Sequence, residues 1–175
     1  MPVSHEMMKL ILLIPIAFAV IYFDVKYRRI PNVIVVSTLV AGVIVNSAIG
    51  SWEGLLGSAE GFALAFIPMF LMHLFGAMGA GDVKLSGAVG AVLGVSMVPL
   101  ALVIIVMMGA VLAVYSMIRA GRVFSTLHGV LRIFVGLIPG WEMPRFAMPP
   151  DRRHTIPYGV AIMLGSLIAV AVFQR

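Results

Sequence analysis

Residues 7–29 read MMKLILLIPIAFAVIYFDVKYRR, an apolar run, Met7–Phe23, that stops abruptly at Asp24, Lys26, Arg28 and Arg29. Coiled into an α-helix the run is about 26 Å long at about 1.5 Å per residue, close to the roughly 30 Å of a bilayer's hydrocarbon. A cleaved signal peptide carries its charge ahead of the apolar core and a small-residue cleavage site behind it. Here the charge follows the core, so the run reads as a retained membrane span. Five further runs match it: Val33–Ile49, Leu55–Phe75, Leu85–Val98, Leu100–Ile118 and Ile156–Phe173. The fourth of the six is short and is expected to extend backward through Asp82–Lys84. No run alternates with period two, and backbone groups in lipid must be bonded within their own segment, so all six read as helices.

Composition agrees. Of 175 residues 62% are hydrophobic and 11% charged, with a mean hydropathy of +1.12; a soluble domain has about 45–50% and about 25%. A soluble cytoplasmic enzyme and a disordered chain are both ruled out. The fold class is therefore all-α, a polytopic membrane protein of about six transmembrane helices forming a single domain over 1–175. There is no cysteine, which excludes disulfides, Cys-ligated zinc and a thiol nucleophile. The net charge of +5 reads as basic loops against an anionic inner leaflet of the lipid bilayer, with no nucleic-acid partner.

Placing Lys26, Arg28 and Arg29 in the cytoplasm sets every other loop by alternation. Lys84, Arg119, Arg122, Arg132, Arg145, Arg152 and Arg153 then also fall inside, leaving only Lys9 and Arg175 outside. The expected topology is a multi-pass protein of the cytoplasmic (inner) membrane with both termini external. Between the fifth and sixth spans, Arg122, Ser125, Thr126, Gly129, Arg132 and Gly136 recur at helical spacing opposite Val123, Leu127, Val130, Leu131, Phe134 and Leu137. This reads as an amphipathic helix at the cytoplasmic face, the alternative being a re-entrant seventh span. Pro139, Pro144, Pro149 and Pro150 follow in an irregular loop.

Ionisable residues at a membrane edge are costly and point to function. The chain has three aspartates. Asp151 sits beside Arg152 and Arg153, where a solvated ion pair accounts for it. Asp24 ends the first span and Asp82 lies in Gly79-Ala80-Gly81-Asp82-Val83-Lys84-Leu85; loop charge alone puts both at the same membrane face. Two carboxylates that converge there would share a proton, one drawing a proton from water while the other donates to a peptide carbonyl. Gly79 and Gly81 are expected to permit positive φ and close approach of an extended peptide. The small residues Gly87, Gly90, Ala91 and Gly94 form a stripe that could draw the Asp82 helix against the Asp24 helix.

Three segments resemble the signatures of the prepilin peptidases, a GxGD-type family of membrane aspartic proteases. They are Asp24-Val25-Lys26-Tyr27-Arg28-Arg29-Ile30-Pro31-Asn32, Gly79-Ala80-Gly81-Asp82-Val83-Lys84-Leu85, and Ile156-Pro157-Tyr158-Gly159-Val160-Ala161-Ile162. The resemblance implies that Asp24 and Asp82 are the catalytic pair, flanked by Lys26, Arg28, Arg29 and Lys84, with Gly79 and Gly81 as motif residues. It implies a type IV prepilin-like precursor as substrate, cut at the cytoplasmic membrane face, with no cofactor and no metal. The connection after Asp24 is short and lacks the paired Cys-Xaa-Xaa-Cys motifs of the bifunctional members. The compact form is similar to tight-adherence (Flp-type) or preflagellin peptidases, without a methyltransferase domain. Pro31 and Asn32 are expected to open the second span, Asn32 as a cap or Pro31 near the first turn. His73 is expected to be packed or bonded rather than to line the site. Two other classes compete: a proton or cation carrier using Asp24 and Asp82, and a structural subunit of a secretion or pilus assembly, in which both aspartates would tolerate alanine.

Overall fold

Helix is the regular structure throughout residues 5–76, 78–119 and 158–174, which the computed structural model describes. In chain order the helices are α1 (His5–Tyr27), α2 (Asn32–Leu74), α3 (Ala80–Leu93), α4 (Val98–Arg119) and α5 (Tyr158–Phe173). There is no strand among the described residues, as the absence of period-two runs requires. The amphipathic helix expected over Arg122–Leu137, the proline-rich loop with Asp151, and Ile156-Pro157 of the third signature lie outside the described residues.

Three helices, α1, α2 and α4, are long and apolar enough to cross a bilayer. The sequence separates α2 into two spans, Val33–Ile49 and Leu55–Phe75. The 43 residues of α2 are correspondingly two helical stretches joined at a kink, where Ser51 leaves the helical region (φ 51°, ψ −126°). Residues twelve apart on a straight helix stand about 18 Å apart, yet Asn46 Nδ2 donates to Ser58 Oγ at 2.9 Å. The chain therefore doubles back at Ser51, and residues 32–50 and 52–74 form two arms. Gly54 lies against the Asn46 carbonyl in space no side chain could share.

Two boundaries differ from the sequence reading. The helix expected over Leu85–Val98 is α3; it does extend backward through Asp82–Lys84, but it ends at Leu93, where Gly94 takes φ +75°. Val98 opens α4 instead. At the start of α2, Pro31 holds the N-cap position (φ −61°, ψ 133°) and Asn32 is already helical, with no side-chain cap bond.

Two short helices occupy the centre. α3 is buried without interruption from Leu85 to Gly94, and α5 buries Gly159, Ala161, Ile162, Met163, Gly165, Ser166, Ala169 and Val170. The longer helices surround them and turn Phe18, Val33, Met107 and Val111 outward, as a lipid-facing surface would. The small-residue stripe of α3, which the sequence suggests could draw it against α1, packs instead on the second arm of α2, with α1 reaching it through Lys9 beside Gly94. Gly87 fits against Phe62 and Phe66, and Gly90 against the Gly61 carbonyl and Ala65. Small residues let backbones approach closely and gain dispersion where lipid supplies no hydrophobic drive. Periodicity shows that such a face packs tightly; it does not say which helix it packs on.

Candidate active site

Asp24 occupies the last turn of α1 and is 6% exposed. The helix closes with the Arg28 amide donating to the Asp24 carbonyl at 3.0 Å, and Arg28 takes a left-handed φ of 52°. This brings the Arg28 charge to bear on the Asp24 carboxylate. The Oδ2 atom of Asp24 is buried and has no hydrogen-bond partner among the described residues.

Asp82 is set by a tight passage from α2 into α3. The Gly76 amide donates to the His73 carbonyl at 2.8 Å, with Gly76 at φ +75°. The His73 ring, beside Phe70, bonds through Nδ1 to the Met78 carbonyl at 2.8 Å. A carbonyl only accepts, so Nδ1 is the protonated nitrogen. His73 is thus a bonded histidine that pins the turn. Gly79 is the N-cap of α3 at φ −74°, ψ 144°. Asp82 stands three residues on, the position from which an acidic side chain reaches back to the N-cap amide, and its carboxylate does face the Gly79 N–H.

The expected positive φ at Gly79 and Gly81 is absent; among the described residues the glycines with positive φ are Gly76 and Gly94. Gly79 matters for room instead. A Cβ there would stand 2.9 Å from Asp82 Oδ2, whereas one at Gly81 would meet nothing nearer than Ile30 Cβ at 3.9 Å.

The third contribution comes from the first turn of α5, which packs against α1, α3 and α4. Gly159 lies directly against the Asp24 carboxylate with the Gly159 and Val160 amides nearby, though no hydrogen bond is made to Oδ2 among the described residues, and Tyr158 lies in the electrostatic field of Asp82. The Tyr158 hydroxyl is seated at Gly109 of α4, where a Cβ would come within 2.5 Å of it. Sequence reading noted Tyr158 and Gly159 only as part of a signature, because a backbone donor leaves no trace in residue type.

The two aspartates share one neighbourhood: Gly159 lies against both Asp24 and Ile30, Gly81 beside Asp82 faces Ile30, and the charge of Asp24 is felt at Asp82. Of the four basic residues expected around them, only Arg28 acts on Asp24 in this way. The Lys26 ammonium is exposed, donates to Tyr22 Oη at 2.8 Å and lies over the Tyr22 and Tyr27 rings. Arg29 and Lys84 are exposed. Among the described residues no group of three His, Cys, Asp or Glu could hold a metal ion.

This pairing of acids from separate helices meets a matching family pattern: the model of the type IV leader peptidase family matches residues 11–114. The chain belongs to the type IV leader peptidase family. Asp24 and Asp82 fall inside the matched stretch and Tyr158–Val160 beyond it. The chain is also 28% identical over 170 residues to the prepilin leader peptidase/N-methyltransferase of Bacillus subtilis (strain 168). That similarity covers 95% of this chain and 56% of that protein, so the chain spans about half the length of the curated relative it matches. No solved structure matches it.

Proposed function

We propose that this type IV leader peptidase family member is an aspartic endopeptidase of the cytoplasmic membrane, cleaving the leader from type IV pilin-like precursors. The observation that carries the reading is the convergence of Asp24 and Asp82 from opposite helix ends. Two carboxylates in one partly desolvated site share a proton at lower cost than they hold two charges. The ionised member takes a proton from water as its oxygen attacks the scissile carbonyl carbon; the protonated member gives its proton to the carbonyl oxygen. Collapse of the tetrahedral adduct breaks the C–N bond, and the amine leaves with a proton returned through the pair. Water and the two acids suffice, so no cofactor or metal enters.

Loop charge supports six spans with the two aspartates on the cytoplasmic side, the two arms of α2 serving as the second and third. The precursor's apolar helix enters laterally from the bilayer, and the basic residues Lys26, Arg28, Arg29 and Lys84 edge the site where its leader emerges. The open flank of Gly81 leaves room for an extended backbone. The reading concerns peptide cleavage; no residue is assigned to methyl transfer.

The test is leader removal from a co-expressed precursor, read as a mass shift. Asp24→Asn and Asp82→Asn, each inserted and folded, are expected to leave the precursor uncut. Cleavage retained in both would remove the proposal and favour a structural or carrier role.

A further inference from the structure

We infer that the first turn of α5 is the positioning element of the acid pair, with Gly159 supplying both the amide and the vacant space that seat the Asp24 carboxylate. The inference rests on the Asp24–Asp82 reading above and adds to it a third chain segment.

Three observations meet at one place. Asp24 is 94% buried, as its 6% exposure states, and its Oδ2 has no hydrogen-bond partner among the described residues. The Gly159 and Val160 amides lie close to that carboxylate; they belong to the first turn of a helix, where N–H groups have no intrahelical acceptor and the dipole favours negative charge. A Cβ at position 159 would lie 2.8 Å from Asp24 Oδ2, 3.2 Å from its Cγ and 3.1 Å from Ile30 Cδ1. Any side chain there displaces the carboxylate from both amides. One residue earlier, Tyr158 fits its hydroxyl against Gly109 and lies within electrostatic reach of Asp82. The turn that meets Asp24 through Gly159 is thus anchored on α4 through Tyr158. Among the described residues, the charged and titratable groups around Asp24 are Arg28 on its own segment, Asp82 from α3 and, beyond Asp82, Tyr158 from α5.

Gly159 and Val160 act through Asp24, so they are positioning residues, and their removal should alter turnover rather than substrate binding. The purified full chain in detergent is given a pilin precursor that carries a basic leader ending in glycine. Four variants are compared with the parent. Gly159→Ala fills the space. Val160→Pro deletes one N–H in the first helical turn, where proline is tolerated. Gly165→Ala disturbs α5 elsewhere, since its Cβ would press Ile105 at 2.7 Å. Asp24→Asn tests the underlying reading.

Gly159→Ala and Val160→Pro are expected to lower kcat by about 100-fold with KM within about twofold, and to change the pH profile of kcat, because donors have been taken from one acid of the pair. Gly165→Ala should lower the melting temperature and leave the pH profile as it was. If Gly159→Ala does not fold, Val160→Pro decides. Parental kcat and pH profile in the folded variants, with Asp24→Asn inactive, would overturn this inference alone. An active Asp24→Asn would instead overturn the acid-pair reading beneath it.

Discussion

At the Leu93 end of α3, Lys9 Nζ donates to the Leu93 carbonyl at 2.7 Å. Asn46 Nδ2 reaches Ser58 Oγ, the Ala91 carbonyl at 2.8 Å and the Val92 carbonyl at 3.2 Å, while Ser58 Oγ donates to Ala91 at 2.9 Å. Ser47 Oγ is the buried exception there. At the Ala80 end the situation reverses: Asp24 Oδ2 is buried without a hydrogen-bond partner among the described residues, and Asp82 feels a like charge. Buried polar groups are ordinarily satisfied, and an unsatisfied one costs about 1–3 kcal/mol. The far end of α3 is therefore a fastening, made of donors that close helix-terminal carbonyls. The near end keeps acceptor capacity in reserve, which a reaction can use.

Substitutions at the two ends should separate activity from stability. The largest expected effect is on chemistry. Asp82→Asn should reduce leader cleavage by about 1,000-fold or more with little change in melting temperature; a large loss of stability with surviving turnover would erase the distinction. Next in size, Gly90→Val forces a side chain into the Gly61 carbonyl and Ala65. Overpacking of this kind costs about 1–3 kcal/mol, readable as a lowered unfolding midpoint in mild detergent.

Asn46→Leu removes the donor that ties both arms of α2 to α3. Interhelical bonds of this type contribute about 0.6–2 kcal/mol in membranes, and the folded fraction should cleave normally. Lys9→Met should lower stability by about 1 kcal/mol and leave the pH profile of cleavage unchanged, which a direct role at the acid pair would not allow. Smallest of all is Gly81→Ala, whose Cβ meets only Ile30 at 3.9 Å. Stability should move by less than about 0.5 kcal/mol, so any loss of cleavage in this variant, measured as a raised KM, reports crowding of the substrate backbone.

The acids were legible because aspartate is scarce in so apolar a chain, and because loop charge puts Asp24 and Asp82 on one side. Hydropathy likewise marked out the helical segments. It also left a gap between Val33–Ile49 and Leu55–Phe75 where the Ser51 kink falls, but it missed the joint at Gly94, which lies inside a continuous apolar run. The motif glycines were misread in kind. Freedom of φ was expected at Gly79, but the backbone there is ordinary and the vacant Cβ is what counts, a fact that depends on where the Asp82 side chain folds. Gly159 was less legible still, since its neighbour Asp24 lies 135 positions earlier in the chain. The bond of Lys9 to the Leu93 carbonyl was equally invisible in the sequence, because a long alkyl stem lets an ammonium find a carbonyl at depth.

α3 has 14 residues and so reaches about 21 Å, some 9 Å less than a hydrocarbon slab of about 30 Å. A rung that short cannot touch both surfaces. From Leu85 to Gly94 it is enclosed by longer helices and meets no lipid of its own. On the proposed reading, water entering above its Ala80 end would reach the two acids, and the scissile amide would not have to leave the bilayer.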